Sequence, residues 1–175
     1  MKTKERERLV KLAKAKYTLK IRKKNNPIKY FEPIEHPELN QKSFIENKKR
    51  NLCAFGGNRS GKTKSGAIKV IKQCLENSGL DCWACTWADM SIPIQQREYY
   101  NLLPKKEVKF ASYTEQRGFL HKIIILKNGS KIRFKTYEQG WESFQGASKH
   151  LIHLDEEAPQ EIVSECKARL IDYNG

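Results

Sequence analysis

Acidic residues are scarce in this sequence: 20 Asp and Glu stand against 34 Lys and Arg in 175 residues, and the net charge is +14. Only four of the acids are aspartates, and they lie apart, at Asp81, Asp89, Asp155 and Asp172. A nuclease centre with two metal ions needs clustered acidic ligands. The sequence therefore predicts no nuclease activity for these 175 residues.

Long apolar runs and a disulfide framework are also missing. No run approaches the eighteen or so apolar residues of a membrane span, and no apolar block follows the basic N-terminus as it does in a secretory signal. Two of the five cysteines, Cys82 and Cys85, form a C-x-x-C inside "LDCWACTW", which has the character of a buried strand. A zinc site would need a second pair, so we interpret the cysteines as core residues of a protein in a reducing compartment, with no membrane partner.

What the sequence has in excess is positive charge at its start. Residues 1–24 carry eleven Lys and Arg and two Glu, so nine of the fourteen excess charges lie there. The pattern predicts a basic helix over 4–22, ended by "NNP" at 25–27. Nucleic acid is the partner that this charge favours, and a solvated basic helix is the alternative. We therefore divide the chain into a basic helical segment, 1–26, and one domain, 27–175.

After a proline-rich extended connector over 31–41, strands and helices alternate. The predicted strands are "LCAF" at 52–55, "CWACTW" at 82–87, the two arms of a hairpin around Asn128-Gly129, and "HLIHL" at 150–154. The predicted helices cover 41–49, 62–77, 93–104 and 158–171. This alternation predicts an α/β fold with a largely parallel sheet flanked by helices, to which the antiparallel β-hairpin is added.

A glycine-rich stretch stands between the first predicted strand and a helix. It fits the pattern G-x-x-x-x-G-K-[ST] of a phosphate-binding loop, and its residues are Gly56, Gly57, Asn58, Arg59, Ser60, Gly61, Lys62 and Thr63. Backbone N–H groups of such a loop and the positive end of the following helix bind phosphate. We expect Lys62 to neutralise the phosphates of ATP and the Thr63 hydroxyl to bind Mg²⁺. The fold class is therefore that of a P-loop NTPase.

Two acids at the end of the strand "HLIHL" supply the other half of such a site. Ligands collect at the carboxyl ends of parallel strands, so we expect Asp155 to hold Mg²⁺ and Glu156 to orient the attacking water. Glu157 is predicted to lie on the surface or to support the site through other residues. His150 and His153 are three residues apart in a strand and face opposite sides, so they are predicted not to share a metal.

Arg59 is unexpected in the middle of the loop. A fixed guanidinium there would stabilise charge that builds on the transferred phosphoryl group, and such arginines contribute about 10³–10⁵ in rate. An arginine that points into solvent or pairs with an acid is the alternative. We expect Arg59 to be catalytic, together with Lys62 and Glu156.

The phosphate loop and the acid motif together resemble those of a known family. "GGNRSGKT" and "FQGASKHLIHLDEEAP" look like the ATPase domain of the large terminase subunit of tailed bacteriophages, the motor that packages DNA. The resemblance covers roughly residues 28–172. It implies a function as an ATP-hydrolysing motor on double-stranded DNA, in a homo-oligomeric ring at a phage portal, with a small terminase subunit as a possible partner and the cytoplasm of a bacterial host as the location.

The resemblance also implies a base-reading residue and a missing part. Gln41 in "NQKSF" resembles the glutamine with which many of these subunits contact adenine, and Tyr30 or Phe31 would stack on the base; an exposed helix residue is the alternative for Gln41. A complete large subunit continues into a coupling motif and a nuclease domain, so we interpret the chain as an N-terminal fragment. A helicase-type NTPase and a non-catalytic fragment that binds nucleotide and nucleic acid are the competing functions.

Overall fold

The computed structural model describes residues 2–36, 39–57, 59–88 and 92–173. The α-helices are α1 (Lys2–Asn25), α2 (Gln41–Glu46), α3 (Lys62–Glu76), α4 (Ile92–Leu102) and α5 (Gln160–Arg169). The strands are β1 (Glu35–His36), β2 (Leu39–Asn40), β3 (Asp81–Thr86), β4 (Val108–Phe110), β5 (Tyr113–Thr114), β6 (Gly118–Phe119), β7 (Ile123–Leu126), β8 (Lys131–Thr136) and β9 (Leu151–Leu154).

Five of these strands form the main sheet, in the order β4-β7-β8-β3-β9. Strand β3 runs parallel to both of its neighbours, β8 and β9, whereas β7 and β4 continue the sheet in antiparallel pairings. The antiparallel part begins with the predicted hairpin, in which Gly129 takes the positive φ of 87° that its turn requires. The α/β class and the hairpin are confirmed, and the parallel part lies where the predicted phosphate and acid motifs meet.

The central strand shows why helices cover both faces of the sheet. Successive residues of a strand point to opposite faces: Cys82 and Ala84 pack with α3 and α4, whereas Trp83 and Cys85 pack with α5. Both cysteines of the C-x-x-C are fully buried, and burial raises the pKa of the Cys85 thiol. The interpretation of this motif as core is confirmed.

Helix α3 follows the loop and anchors it to the core. Its apolar stripe, which includes Ile68 and Ile71, is buried against the sheet and α4. Each such side chain contributes about 1.5–3 kcal/mol by leaving water. The Cα of Gly66 faces the His153 ring so closely that a Cβ would lie 2.1 Å from Nε2. The start of α3 is thereby fixed against β9.

Two predicted elements differ in the structure. Residues 52–55 form no strand, and the Phe55 side chain is 94% exposed. A strand needs backbone partners, and within the described residues β9 is the last strand on that side of the sheet. The prediction of a strand at 52–55 was therefore wrong. The second helix ends at Glu46 rather than at residue 49, and the connector contains the short pair β1–β2.

The N-terminal helix is longer than predicted and ends at Asn25, directly before "NP". All of its side chains from Glu5 to Asn25 are exposed, including Leu9, Leu12 and Tyr17. It thus stands in solvent over these residues and displays its basic side chains. No helix in the described part of the chain has the length and apolarity to cross a membrane.

Candidate functional site

The glycine-rich loop leads directly into α3, which begins at Lys62. Gly61 caps the helix in the left-handed conformation, with φ of 81°, which a glycine adopts without strain. The first backbone N–H groups of α3 therefore face the loop, and this is the positive end of the helix dipole. Asn58, which the sequence places among the phosphate-binding residues, lies outside the described residues.

The ammonium of Lys62 lies over the loop's own backbone. Its Nζ donates hydrogen bonds to the carbonyl oxygens of Gly56 at 2.5 Å and Gly57 at 2.9 Å, and lies 3.5 Å from the Ser60 hydroxyl. Ser60 also approaches Gly56, where a Cβ would lie 2.8 Å from the serine oxygen. Three of the predicted loop residues, Gly56, Gly57 and Ser60, thus lie around Lys62.

Arg59 has the backbone conformation that glycine prefers. Its φ is 63°, in the left-handed region, and its side chain is exposed. A non-glycine residue in this region costs about 1 kcal/mol. The Arg59 side chain is exposed to solvent at the surface of the loop.

The loop meets the acid motif through Thr63 and Asp155, which are 92 residues apart in sequence. The Thr63 hydroxyl donates a hydrogen bond of 3.0 Å to Oδ1 of Asp155, the residue directly after β9. Burial raises the pKa of the Asp155 carboxyl, and the Thr63 hydrogen bond and the Lys62 charge oppose this shift. The structure therefore brings together the two residues that the sequence predicts as metal ligands.

This oxygen pair fits magnesium. Mg²⁺ in phosphoryl-transfer sites is held by one or two protein oxygens, with phosphate and water as the other ligands. A hydroxyl and a carboxylate within hydrogen-bond distance are suitable donors. Across residues 2–36, 39–57, 59–88 and 92–173, no three His, Cys, Asp or Glu form a metal-binding group, so the chain offers Mg²⁺ this pair rather than an all-protein cage.

Glu156 follows at the surface, with an unusual backbone. Its φ is 65° and its side chain is exposed, so the carboxylate stands free of the core beside Asp155. Glu157 is exposed as well, as predicted. Of the three consecutive acids, only Asp155 has its side chain turned into the sheet–helix interface.

Gln41 lies beside the loop and is buried, at 7% exposure. Its backbone N–H donates to the Ile34 carbonyl, and its side-chain oxygen accepts the Ile34 N–H at 3.1 Å. Its amide nitrogen rests on Gly61, where a Cβ would lie 2.3 Å away. The alternative of an exposed helix residue is excluded, and the side-chain oxygen is engaged within the chain. Phe31, proposed for stacking, packs on the core with the Lys64 ammonium 5.2 Å from its ring centre.

His150, directly before β9, and His153, within it, have separate environments, as predicted. His150 accepts the Asp81 N–H at Nδ1 and stacks on Tyr173. His153 faces α3 and α4, and its Nδ1 lies 3.0 Å from the Tyr99 hydroxyl. Burial lowers the pKa of His153 to about 4, so it is neutral at physiological pH. Neither ring is turned toward the Thr63–Asp155 pair.

Two polar residues that contact the backbone near the acid motif were not predicted from the sequence. The hydroxyl of Tyr137, which follows β8, donates to the Asp155 carbonyl at 3.0 Å. The amide of Gln95 in α4 donates to the Cys85 carbonyl at 3.0 Å. Tyr137 stands at the carboxyl end of a parallel strand, where site residues gather, and that position was the available signal; nothing in the sequence marks Gln95.

Comparisons with known proteins concern the family and the fold of the chain. The family model described as "Terminase large subunit, T4likevirus-type, N-terminal" matches residues 53–175. No curated protein matches the sequence. Among solved structures, the large terminase ATPase domain of Thermus phage P74-26 matches with a TM-score of 0.67 at 13% identity, and a mutant of that domain with 0.65 at 14% identity. Each match covers 85% of this chain and 64% of the other, so the chain spans less than two thirds of their length and shares their fold.

Proposed function

The chain belongs to the family of T4-like terminase large subunits, whose N-terminal part it matches, and we propose that it is the ATP-hydrolysing motor domain that drives double-stranded DNA into a phage prohead. The observation that carries this proposal is the hydrogen bond between Thr63 and Asp155. It joins the phosphate loop to the acid motif at the carboxyl end of a parallel strand, which is where phosphoryl transfer requires its metal site.

Each residue of the site has a proposed task. The N–H groups at the start of α3 and the Lys62 ammonium bind the phosphates of ATP, and Lys62 exchanges the carbonyls of Gly56 and Gly57 for phosphate oxygens. Thr63 and Asp155 hold Mg²⁺, which would neutralise charge on the phosphates. The exposed Glu156 carboxylate takes a proton from the attacking water. Arg59 turns its guanidinium toward the transferred phosphoryl group.

We also propose that Gln41 contacts adenine, which requires a change in its present hydrogen bonds. Its side-chain oxygen must release the Ile34 N–H before the amide can bind the base with both atoms. Its amide nitrogen already lies against Gly61 of the loop. Base binding and loop position are therefore coupled in this proposal.

Partners follow from the family and the charge. Double-stranded DNA is the proposed substrate of the motor, and the exposed basic helix α1 is a proposed contact to its phosphates. A homo-oligomeric ring at the portal and a small terminase subunit are proposed partners, and the cytoplasm of the bacterial host is the proposed location.

Calorimetric titration of the chain with ATP tests the site. We expect binding that requires Mg²⁺, and Lys62→Ala is expected to weaken it by at least about tenfold, because charge-assisted hydrogen bonds to phosphate are lost. Lys64→Ala is the matched control, since Lys64 lies on the same helix but covers Phe31. Binding without Mg²⁺, or equal binding by Lys62→Ala and the unaltered chain, would refute the proposal.

A further inference from the structure

Asp155 is held at three points by other parts of the chain. Its backbone N–H donates to the Cys85 carbonyl of β3 at 2.9 Å, and its side chain accepts from Thr63. Its carbonyl oxygen accepts from the Tyr137 hydroxyl, which reaches across β3 from the end of β8. The first two contacts belong to the sheet and to the predicted metal site. The third is not explained by either.

The Asp155 carbonyl belongs to the peptide group that leads into Glu156. The orientation of that peptide plane is linked to φ of Glu156, which is 65°. A glutamate is unfavourable in the left-handed region, and such a conformation persists only where surrounding contacts determine it. Two hydrogen bonds hold this peptide group: the Tyr137 hydroxyl donates to its carbonyl, and its N–H, from Glu156, donates to the Asp155 carboxylate. The tyrosine supplies the contact from a distant part of the chain.

Tyr137 is itself well fixed. It is 3% exposed, its ring meets Trp87 edge-on at 5.6 Å, and its hydroxyl also lies 3.4 Å from the Cys85 carbonyl. Gln95 donates to that same carbonyl. The Cys85 oxygen therefore accepts from Asp155 and Gln95, and the Tyr137 hydroxyl, which donates to the Asp155 carbonyl, lies close to it. The tyrosine thus has a rigid base from which to hold the next peptide.

We propose that Tyr137 is a positioning residue for Glu156: its hydroxyl holds the Asp155–Glu156 peptide so that the glutamate keeps its left-handed backbone and its carboxylate is directed to the water site. The role of Glu156 in ATP hydrolysis on which this rests is the function proposed above. Without the hydroxyl, the peptide relaxes and the carboxylate loses its direction. A displacement of about 1 Å at such a group costs up to about 10² in rate.

Tyr137→Phe removes the hydroxyl alone, and Tyr99→Phe is its matched control. Tyr99 is also fully buried, and its hydroxyl contacts His153, two residues before Asp155 on the same strand. We expect both variants to lose similar thermal stability. Only Tyr137→Phe should lower kcat of ATP hydrolysis, by about tenfold or more, with KM and ATP affinity within about twofold of the original values.

A second readout needs no turnover. The three-bond HN–Hα coupling and the ¹³C shifts of Glu156 in the 175-residue chain report its φ. We expect them to change in Tyr137→Phe and to stay unchanged in Tyr99→Phe. If Glu156 keeps its signals in Tyr137→Phe, or if both variants lower kcat equally, the positioning role is refuted. If the chain hydrolyses no ATP, the proposed function fails, and the NMR comparison still decides whether Tyr137 sets the Glu156 backbone.

Discussion

Asp155 is bound by β3, α3 and the turn after β8, whereas the described contacts of the Lys62 ammonium are all to members of its own loop. The acid half of the site, Asp155 and Glu156, is thus held by tertiary contacts. The phosphate half, the loop around Lys62, is held largely by contacts within the loop. The residue directly before each half shows the same contrast. Phe55, before the loop, is exposed, whereas Leu154, before Asp155, packs beside α5. The difference indicates that the acid half is preorganised by the fold, and we expect that bound phosphate would order the loop.

Removal of the proposed base is expected to have the largest effect. Glu156→Gln should lower kcat by about 10³ or more while ATP affinity is kept, because only the proton acceptor is lost. Glu157→Gln, one residue further along and equally exposed, is the control and should retain kcat. Steady-state hydrolysis and titration of both variants give the answer. No turnover by the unaltered chain would favour the non-catalytic alternative, and unchanged turnover in Glu156→Gln would reassign the base.

Replacement of Arg59 tests the phosphate half of the site. Arg59→Ala should lower kcat by about two decades with little change in ATP affinity, because the contact strengthens as charge moves in the transition state. Arg59→Lys should be nearly as damaging, since an ammonium lacks the planar fork of the guanidinium. Measurement of kcat, Kd and Tm separates this from a structural role, for which Tm would fall while kcat stayed near normal.

Helix α1 extends the contrast, because its side chains from Glu5 to Asn25 are exposed and the N-terminal segment carries most of the excess charge. Combined replacement of Lys11, Lys14, Lys16 and Lys20 by Gln should weaken binding to double-stranded DNA by at least about tenfold at 0.1 M salt. Each lost phosphate contact should also flatten the dependence of log affinity on log salt by about 0.9. Replacement of Lys105 and Lys106, which are exposed outside α1, is the control. If the α1 variant has the same DNA affinity and the same salt dependence as the unaltered chain, α1 is a solvated helix that does not bind DNA.

An effect on stability rather than on activity is expected on the buried side of β9. The pKa of His153 is about 4 in the folded chain and 6.5 when unperturbed. The unfolded chain therefore takes up a proton, as pH falls from about 6.5 to about 4, that the folded chain does not bind, and the free energy of unfolding should fall by about 2–3 kcal/mol. His153→Asn should flatten this slope, and the exposed His121→Asn should not. Urea unfolding at several pH values between 4 and 6.5 checks both variants. If the free energy of unfolding of His153→Asn depends on pH as strongly as that of the unaltered chain, the lowered pKa of His153 is contradicted.

Local patterns explain what could be predicted from the sequence. The bounds of α3 and β3 and the turn at Asn128-Gly129 were predicted because periodicity, a glycine-rich start and turn chemistry act over a few residues. The strand at 52–55 was predicted on the same grounds and was wrong, since four apolar residues satisfy a strand pattern whether or not a neighbour supplies backbone partners. Burial of Gln41 against Gly61 could not be predicted, because the segment that covers it comes from the connector.

The sequence by itself determined which residues carry the candidate chemistry: the loop residues up to Thr63, the acids Asp155 and Glu156, and the basic helix are all readable as short patterns. The tertiary structure alone decided how they meet. The Thr63–Asp155 hydrogen bond spans 92 residues, and the contact of Tyr137 with the Asp155 carbonyl crosses a strand. Such contacts depend on strand order and register, which are set by packing of the whole sheet against its helices, so no local stretch of sequence encodes them.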